Sequence, residues 1–73
     1  MRPATFRKYC ERFGETVRQH RKRRGLTQED MMELGFSLRH YQRIEAGRSV
    51  TLATIWKLAE AFSVEPRDLL PNR

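Results

Sequence analysis

Arg39 and Arg43 stand four residues apart, with Leu38 before them and His40 and Gln42 interleaved. On a helix, the first, second and sixth positions of this run point outward together. That selects Leu38, Arg39 and Arg43 as one face. Arginine is suited to bidentate hydrogen bonding with guanine O6 and N7, and a leucine beside it offers apolar contact to a thymine methyl. His40 and Gln42 are further candidates for reading bases, His40 lying more at the flank, towards phosphate or solvent. Enzyme chemistry finds less support. His20 and His40 are the two histidines, and the single cysteine, Cys10, belongs to a different stretch from both. No metal-ligand cluster, phosphate-cradling glycine loop or cofactor motif is present, so no catalytic, cofactor or metal role is expected. One cysteine also excludes an intramolecular disulfide.

A face of this kind needs a helix aimed into a groove, and the surrounding residues supply one. Thr27 is an N-cap with Asp30 three residues on, where a capping-box acid bonds back. Met31, Met32 and Leu34 follow as apolar positions. Gly35 is the residue type that ends a helix in the left-handed conformation. Phe36 is apolar at the turn, Ser37 caps again, and Tyr41 and Ile44 turn inward at helical spacing. Two short helices joined by a tight glycine-containing turn form a helix-turn-helix, whose second helix can enter a major groove. Gln28 begins the first of the two, where free backbone N–H groups favour an anion.

The rest of the chain supports this unit. Phe6, Tyr9/Cys10, Phe13, Val17 and His20/Arg21 recur every three or four residues, the period of one helical face. A long first helix is expected from Thr5 to Arg24, ended by Gly25, with residues 1–4 frayed. Gly14 in its middle is either tolerated or marks a kink. After the motif, Thr51 caps a fourth helix with Leu52, Ile55, Leu58, Ala59 and Phe62 as its stripe and Trp56 beside it. Pro66 opens a short fifth helix that brings in Leu69 and Leu70. The expectation is an all-α, compact five-helix domain over residues 5–70, with a tail at 71–73. No β pattern, repeat or low-complexity segment occurs.

Charge agrees with a polyanionic partner. The net charge is +6, and residues 1–25 carry nine basic and two acidic side chains, whereas the remainder carries six basic and seven acidic. Such a surface favours nucleic acid, with salt-dependent affinity. No apolar run approaches membrane-spanning length and no signal-peptide core follows Met1, so a soluble, cytoplasmic chain without membrane contact is expected. At 73 residues the domain is small enough to gain from dimerisation. Trp56, Val64, Leu69 and Leu70 are the apolar residues expected to form that interface, with Phe6 and Tyr9 as a rival surface.

Leu26-Thr27-Gln28, Met31-Met32, Gly35, Phe36-Ser37, Tyr41 with Ile44, and Ile44-Glu45-Ala46-Gly47 together resemble the Cro/repressor-type (XRE-like) helix-turn-helix family, from about Phe13 to Leu70. The resemblance implies a repressor-like fold and a sequence-specific DNA-binding transcriptional regulator, most simply a repressor, that binds a palindromic operator on double-stranded DNA as a homodimer. It implies phosphate contact by Gln28 and Thr27 at the start of the second helix and by Arg48 and Ser49 after the reading helix. It also implies a structural ion pair between Arg21 and Glu45, and a core role for the Tyr41 ring, whose hydroxyl has phosphate within reach. Two departures stand out. One residue fewer than usual separates Gln28 from Gly35, so the second helix or its turn is shortened, and one fewer separates Gly47 from Leu52. The alternative reading is an antitoxin- or adaptor-type module using the same fold to bind a protein partner.

Overall fold

A computed structural model describes residues 3–72. Met1, Arg2 and Arg73, parts of the expected frayed terminus and tail, lie outside the described residues. Among those described there are three α-helices, α1 (Pro3–Arg23), α2 (Leu38–Glu45) and α3 (Leu52–Phe62), two 3₁₀ segments, Glu29–Met32 and Pro66–Leu69, and no strand. The all-helical expectation stands. The count of five helices resolves into three α-helices and two 3₁₀ turns.

The first helix begins at Pro3 rather than at Thr5, so Thr5 lies inside it and is not its cap. Proline at a first helical position costs nothing, since its absent N–H would have no intrahelical acceptor there. The helix then runs unbroken through Gly14. That glycine serves packing: a Cβ there would stand 2.6 Å from the carbonyl oxygen of Ile44 and 2.8 Å from that of Glu45. Backbone cannot yield as a side chain can, so only glycine lets α1 lie directly on the C-terminal turn of α2. One turn earlier, Glu11 lies against Gly47.

The shortened second helix is wound as 3₁₀. Met31, Glu33, Leu34 and Gly35 each donate a backbone hydrogen bond to the carbonyl three residues before, all at 3.1 Å. A 3₁₀ segment rises about 2.0 Å per residue against about 1.5 Å for an α-helix, so a run one residue short still reaches Gly35 without breaking its hydrogen-bond ladder. Three residues per turn also changes which side chains face inward. Met31 is fully buried, whereas Met32 and Leu34, expected in the core, are exposed.

The core joins Phe13 and Val17 of α1, Met31, Phe36, Tyr41 and Ile44 of the motif, Leu58, Ala59 and Phe62 of α3, and Leu69. Two large apolar residues of α3, Leu52 and Trp56, are exposed. Leu52, a residue of the expected stripe, is 84% exposed, and Trp56, expected beside the stripe, is 61% exposed. Ser63 ends α3 at φ +56°, the left-handed conformation for which glycine is the usual choice. At the far end, the Tyr9 hydroxyl donates to the Pro71 carbonyl at 3.0 Å and the Arg12 guanidinium donates to the Asn72 carbonyl. Tyr9 is therefore half-buried and engaged by the tail, while Phe6, the other residue of the rival surface, is exposed. No helix among the described residues is long and apolar enough to cross a membrane.

Candidate nucleic-acid interface

The helix α2 is held at its start, at the preceding turn and from behind. At its start, Ser37 is extended (φ −72°, ψ 147°), and its hydroxyl accepts from the His40 N–H at 3.1 Å. This satisfies one of the free donors of the first turn. Tyr41 and Ile44 are buried beneath α2, and Leu38 is half-buried. Arg39, His40, Gln42 and Arg43 are left exposed. The preceding turn is held by Lys57 of α3. Its ammonium donates to the Gly35 carbonyl and lies 4.6 Å from the centre of the Phe36 ring, a cation–π distance. Nothing in the spacing around Lys57 signals this contact, which spans 22 residues.

Behind α2 lies a buried polar knot. Arg21 Nε donates to Glu45 Oε2 at 2.7 Å and Arg21 Nη2 donates to Glu45 Oε1 at 3.2 Å, a two-pronged arrangement. The two side chains are 9% and 6% exposed. The remaining Arg21 donor group, Nη1, reaches the Leu26 carbonyl at 2.7 Å. Gln28 Nε2 donates to Glu45 Oε1 at 2.9 Å, and Gln42 Nε2 donates to Gln28 Oε1 at 3.3 Å. Burial alone would raise the Glu45 carboxyl, but the hydrogen bonds from Arg21 and Gln28, with the Tyr41 hydroxyl facing it, outweigh burial and hold the group below its usual range. The same pairing raises Arg21. The carboxylate is therefore already neutralised behind the exposed side of α2.

The Tyr41 hydroxyl faces this knot, not the solvent. It is buried without a hydrogen bond of ordinary geometry, and burial, then Glu45, pushes its ionisation up. It has no route to a phosphate, which corrects that expectation. His20 stacks on Phe62 with ring centres 5.8 Å apart. Burial, then Arg24 and Arg23, lowers its pKa.

Thr27 and Gln28 sit together at the entry to the first 3₁₀ turn. The Thr27 hydroxyl accepts from the Asp30 N–H at 3.1 Å, and the Thr27 N–H donates to Asp30 Oδ2 at 2.7 Å. This reciprocal pair is a capping box. Arg48 and Ser49 join His40, Arg43 and Ile44 around one open cleft at the far end of α2. The backbone N–H of Arg48 donates to the Arg43 carbonyl at 3.1 Å, which keeps these two arginines adjacent. Thus the sequence-derived residues fall into two groups flanking the exposed face, Thr27/Gln28 at one edge and Arg48/Ser49 at the other.

The four residues expected at a dimer interface do not all share one surface. Trp56 and Leu70 are exposed and Val64 is half-buried, but Leu69 is fully buried in the core. Leu69 is a structural residue and is removed from that set. The 3₁₀ turn that carries it points it inward, as the turn's own closure requires.

A family model described as helix-turn-helix matches residues 17–69, well over half of the chain. No curated protein matches the sequence. Among solved structures, the restriction-modification controller protein C.AhdI from Aeromonas hydrophila superposes with a TM-score of 0.78 at 36% identity, over 84% of this chain and 96% of that one. The motif residues, the capped and exposed α2, and these two matches agree: the chain belongs to the Cro/repressor-type, XRE-like helix-turn-helix family of DNA-binding transcriptional regulators.

Proposed function

We propose that this regulator recognises a specific operator by placing α2 in the major groove, with Arg39 and Arg43 at base edges and Leu38 beside them. Thr27 and Gln28 take phosphate on one flank, and Arg48 and Ser49 on the other. The observation that carries this reading is the division of charge on α2. Its single carboxylate, Glu45, is paired from behind by Arg21, while Arg39 and Arg43 stay exposed on the opposite side. A DNA-facing helix needs that arrangement, because an unpaired acid would repel phosphate.

The reading extends to a two-fold dimer. Trp56 presents apolar area on α3 beside Val64, and Leu52 and Leu70 add to the exposed surface. A symmetric pair sets two reading helices about 34 Å apart, one turn of DNA, and so reads a palindrome. Occupying such an operator represses transcription most simply. The likeness to a restriction-modification controller supports an operator at a restriction-modification locus, in the cytoplasm.

Selection from a randomised duplex library, with light scattering on the same preparation at tens of micromolar, tests the proposal. Enrichment of a palindrome together with a dimer mass is expected. Uniform binding that vanishes with salt would overturn sequence reading. No binding at all would favour the protein-interaction module, and a monomer mass with and without DNA would remove the dimer.

A further inference from the structure

We propose that Arg18 of α1 extends the interface onto the first helix by taking a backbone phosphate beside the reading helix, and that Glu15 is its internal competitor. The inference rests on the DNA-binding reading above. It starts from Gly14, which sets α1 directly against the carbonyls of Ile44 and Glu45. Arg18 follows four residues later on the same face of the helix. It therefore projects alongside α2, into an open cleft whose walls include Gln28 and Gln42, with Glu15 at its rim and the Arg21–Glu45 pair at its base.

The charges in this cleft are almost all spoken for. Arg21 and Glu45 neutralise each other, and Gln28 and Gln42 are joined to them and to one another. Arg18 is the exception. Its guanidinium is 3.7 Å from Glu15, too long for a hydrogen bond, and the two side chains are 47% and 55% exposed. An exposed pair of this kind is weak and readily exchanged. A phosphate gives arginine two acceptor oxygens at once, a better match for its planar fork than a distant carboxylate.

Position supplies the second part of the argument. Gln42 lies three residues after Arg39 on α2, so the two are neighbours along the helix surface. The cleft thus opens next to the face proposed to read bases, on the same flank as Gln28. DNA seated on α2 would bring its backbone past that flank, and Arg18, held only by its weak pairing with Glu15, is the cation that can be exchanged there. Glu15 has two consequences in the free protein. It keeps the Arg18 head near the cleft, and its own charge opposes an approaching phosphate. Removing Glu15 should therefore strengthen binding, and most of that gain should need Arg18.

The test compares the parent with Arg18→Ala, Arg18→Lys, Glu15→Gln and the Arg18→Ala/Glu15→Gln double variant. Each is titrated with the selected operator duplex and a scrambled duplex of equal length, across a salt series. Arg18→Ala should weaken both duplexes several-fold in equal proportion and reduce the slope of log affinity against log salt by about one phosphate per protomer, about two for a bound dimer. Arg18→Lys should keep the parent slope, and Glu15→Gln should tighten both duplexes, with most of that gain lost in the double variant. A parent-like slope and affinity for Arg18→Ala would overturn the inference while leaving operator binding intact. A change in the operator-to-scrambled ratio would overturn it as well, by making Arg18 a reader of bases. A parent that bound neither duplex would instead overturn the DNA reading and this inference with it. Thermal melts of all variants should coincide with that of the parent, because the side chain is exposed.

Discussion

The two faces of α2 use arginine in opposite ways. Against the inner face, Arg21 of α1 is pinned by three oxygens from Glu45 and Leu26 and is 8% exposed. On the outer face, Arg39 and Arg43 are exposed. The side-chain chemistry is identical, so the difference lies in what each backbone position faces. Gly14 brings α1 close enough for Arg21 to close on Glu45. Among the described residues no element covers Arg39 and Arg43, which are exposed, with Arg48 and Ser49 beside Arg43. The lesson is that the inner knot sets the angle and the charge of the helix, while the outer face is free to specify.

If that division holds, inner changes should be felt as stability and outer changes as recognition. Glu45→Ala should cost most, about 3–5 kcal/mol, because it leaves a buried guanidinium without its counter-charge. Chemical denaturation would measure it, and an unchanged unfolding midpoint would break the contrast between the faces. Gly14→Ala comes next. The added Cβ meets two backbone carbonyls, so α1 and α2 must separate at a cost of about 1–3 kcal/mol. A melt as high as the parent's would show that the contact is not the close one described.

Arg43→Ala should leave the melting temperature in place. Its expected effect is a loss of about 1–3 kcal/mol of discrimination at one operator position. Competition with single-base operator variants would measure it, whereas Arg48→Ala should weaken every duplex alike. The smallest effect is expected from pH. The carboxyl of Glu45 titrates lower when folded than when unfolded. Its contribution is therefore complete above the ordinary glutamate range and is lost as pH falls through the depressed folded value. Melts of the parent and Glu45→Gln should differ most at neutral pH and converge under acid conditions. A difference that grew on acidification would have the wrong sign.

Local chemistry made much of this legible from residue order alone. Ser37 and Thr51 are capping residues at the starts of α2 and α3, and each side chain accepts from the N–H three residues on. Gly35 takes φ +100° at the turn, and the spacing of Tyr41 and Ile44 marks the buried side of α2. The missing residue before Gly35 could be counted, but counting did not distinguish a shorter α-helix from a 3₁₀ one, because both present capped, apolar-spaced residues. That ambiguity put Met32 and Leu34 on the wrong side. Long-range contacts left even less trace. Lys57 at the Gly35 carbonyl, Arg24 at the Phe62 carbonyl and Tyr9 at the Pro71 carbonyl join residues 22, 38 and 62 positions apart. No local period encodes such pairings. Gly14 did announce itself as an anomaly in a helical pattern, yet only the neighbouring helix explains it. Leu69 carried the same apolar signature as Leu70, and only the closure of the last turn separates the buried leucine from the exposed one.

The central claim is that the outer face of α2 reads sequence and the inner face only supports it. Parallel selection from one randomised duplex library with the parent and with Arg43→Ala tests it most directly. A palindromic motif from the parent, relaxed at one symmetric position by the substitution, is the predicted result. An identical motif from both proteins would contradict the assignment of the reading face.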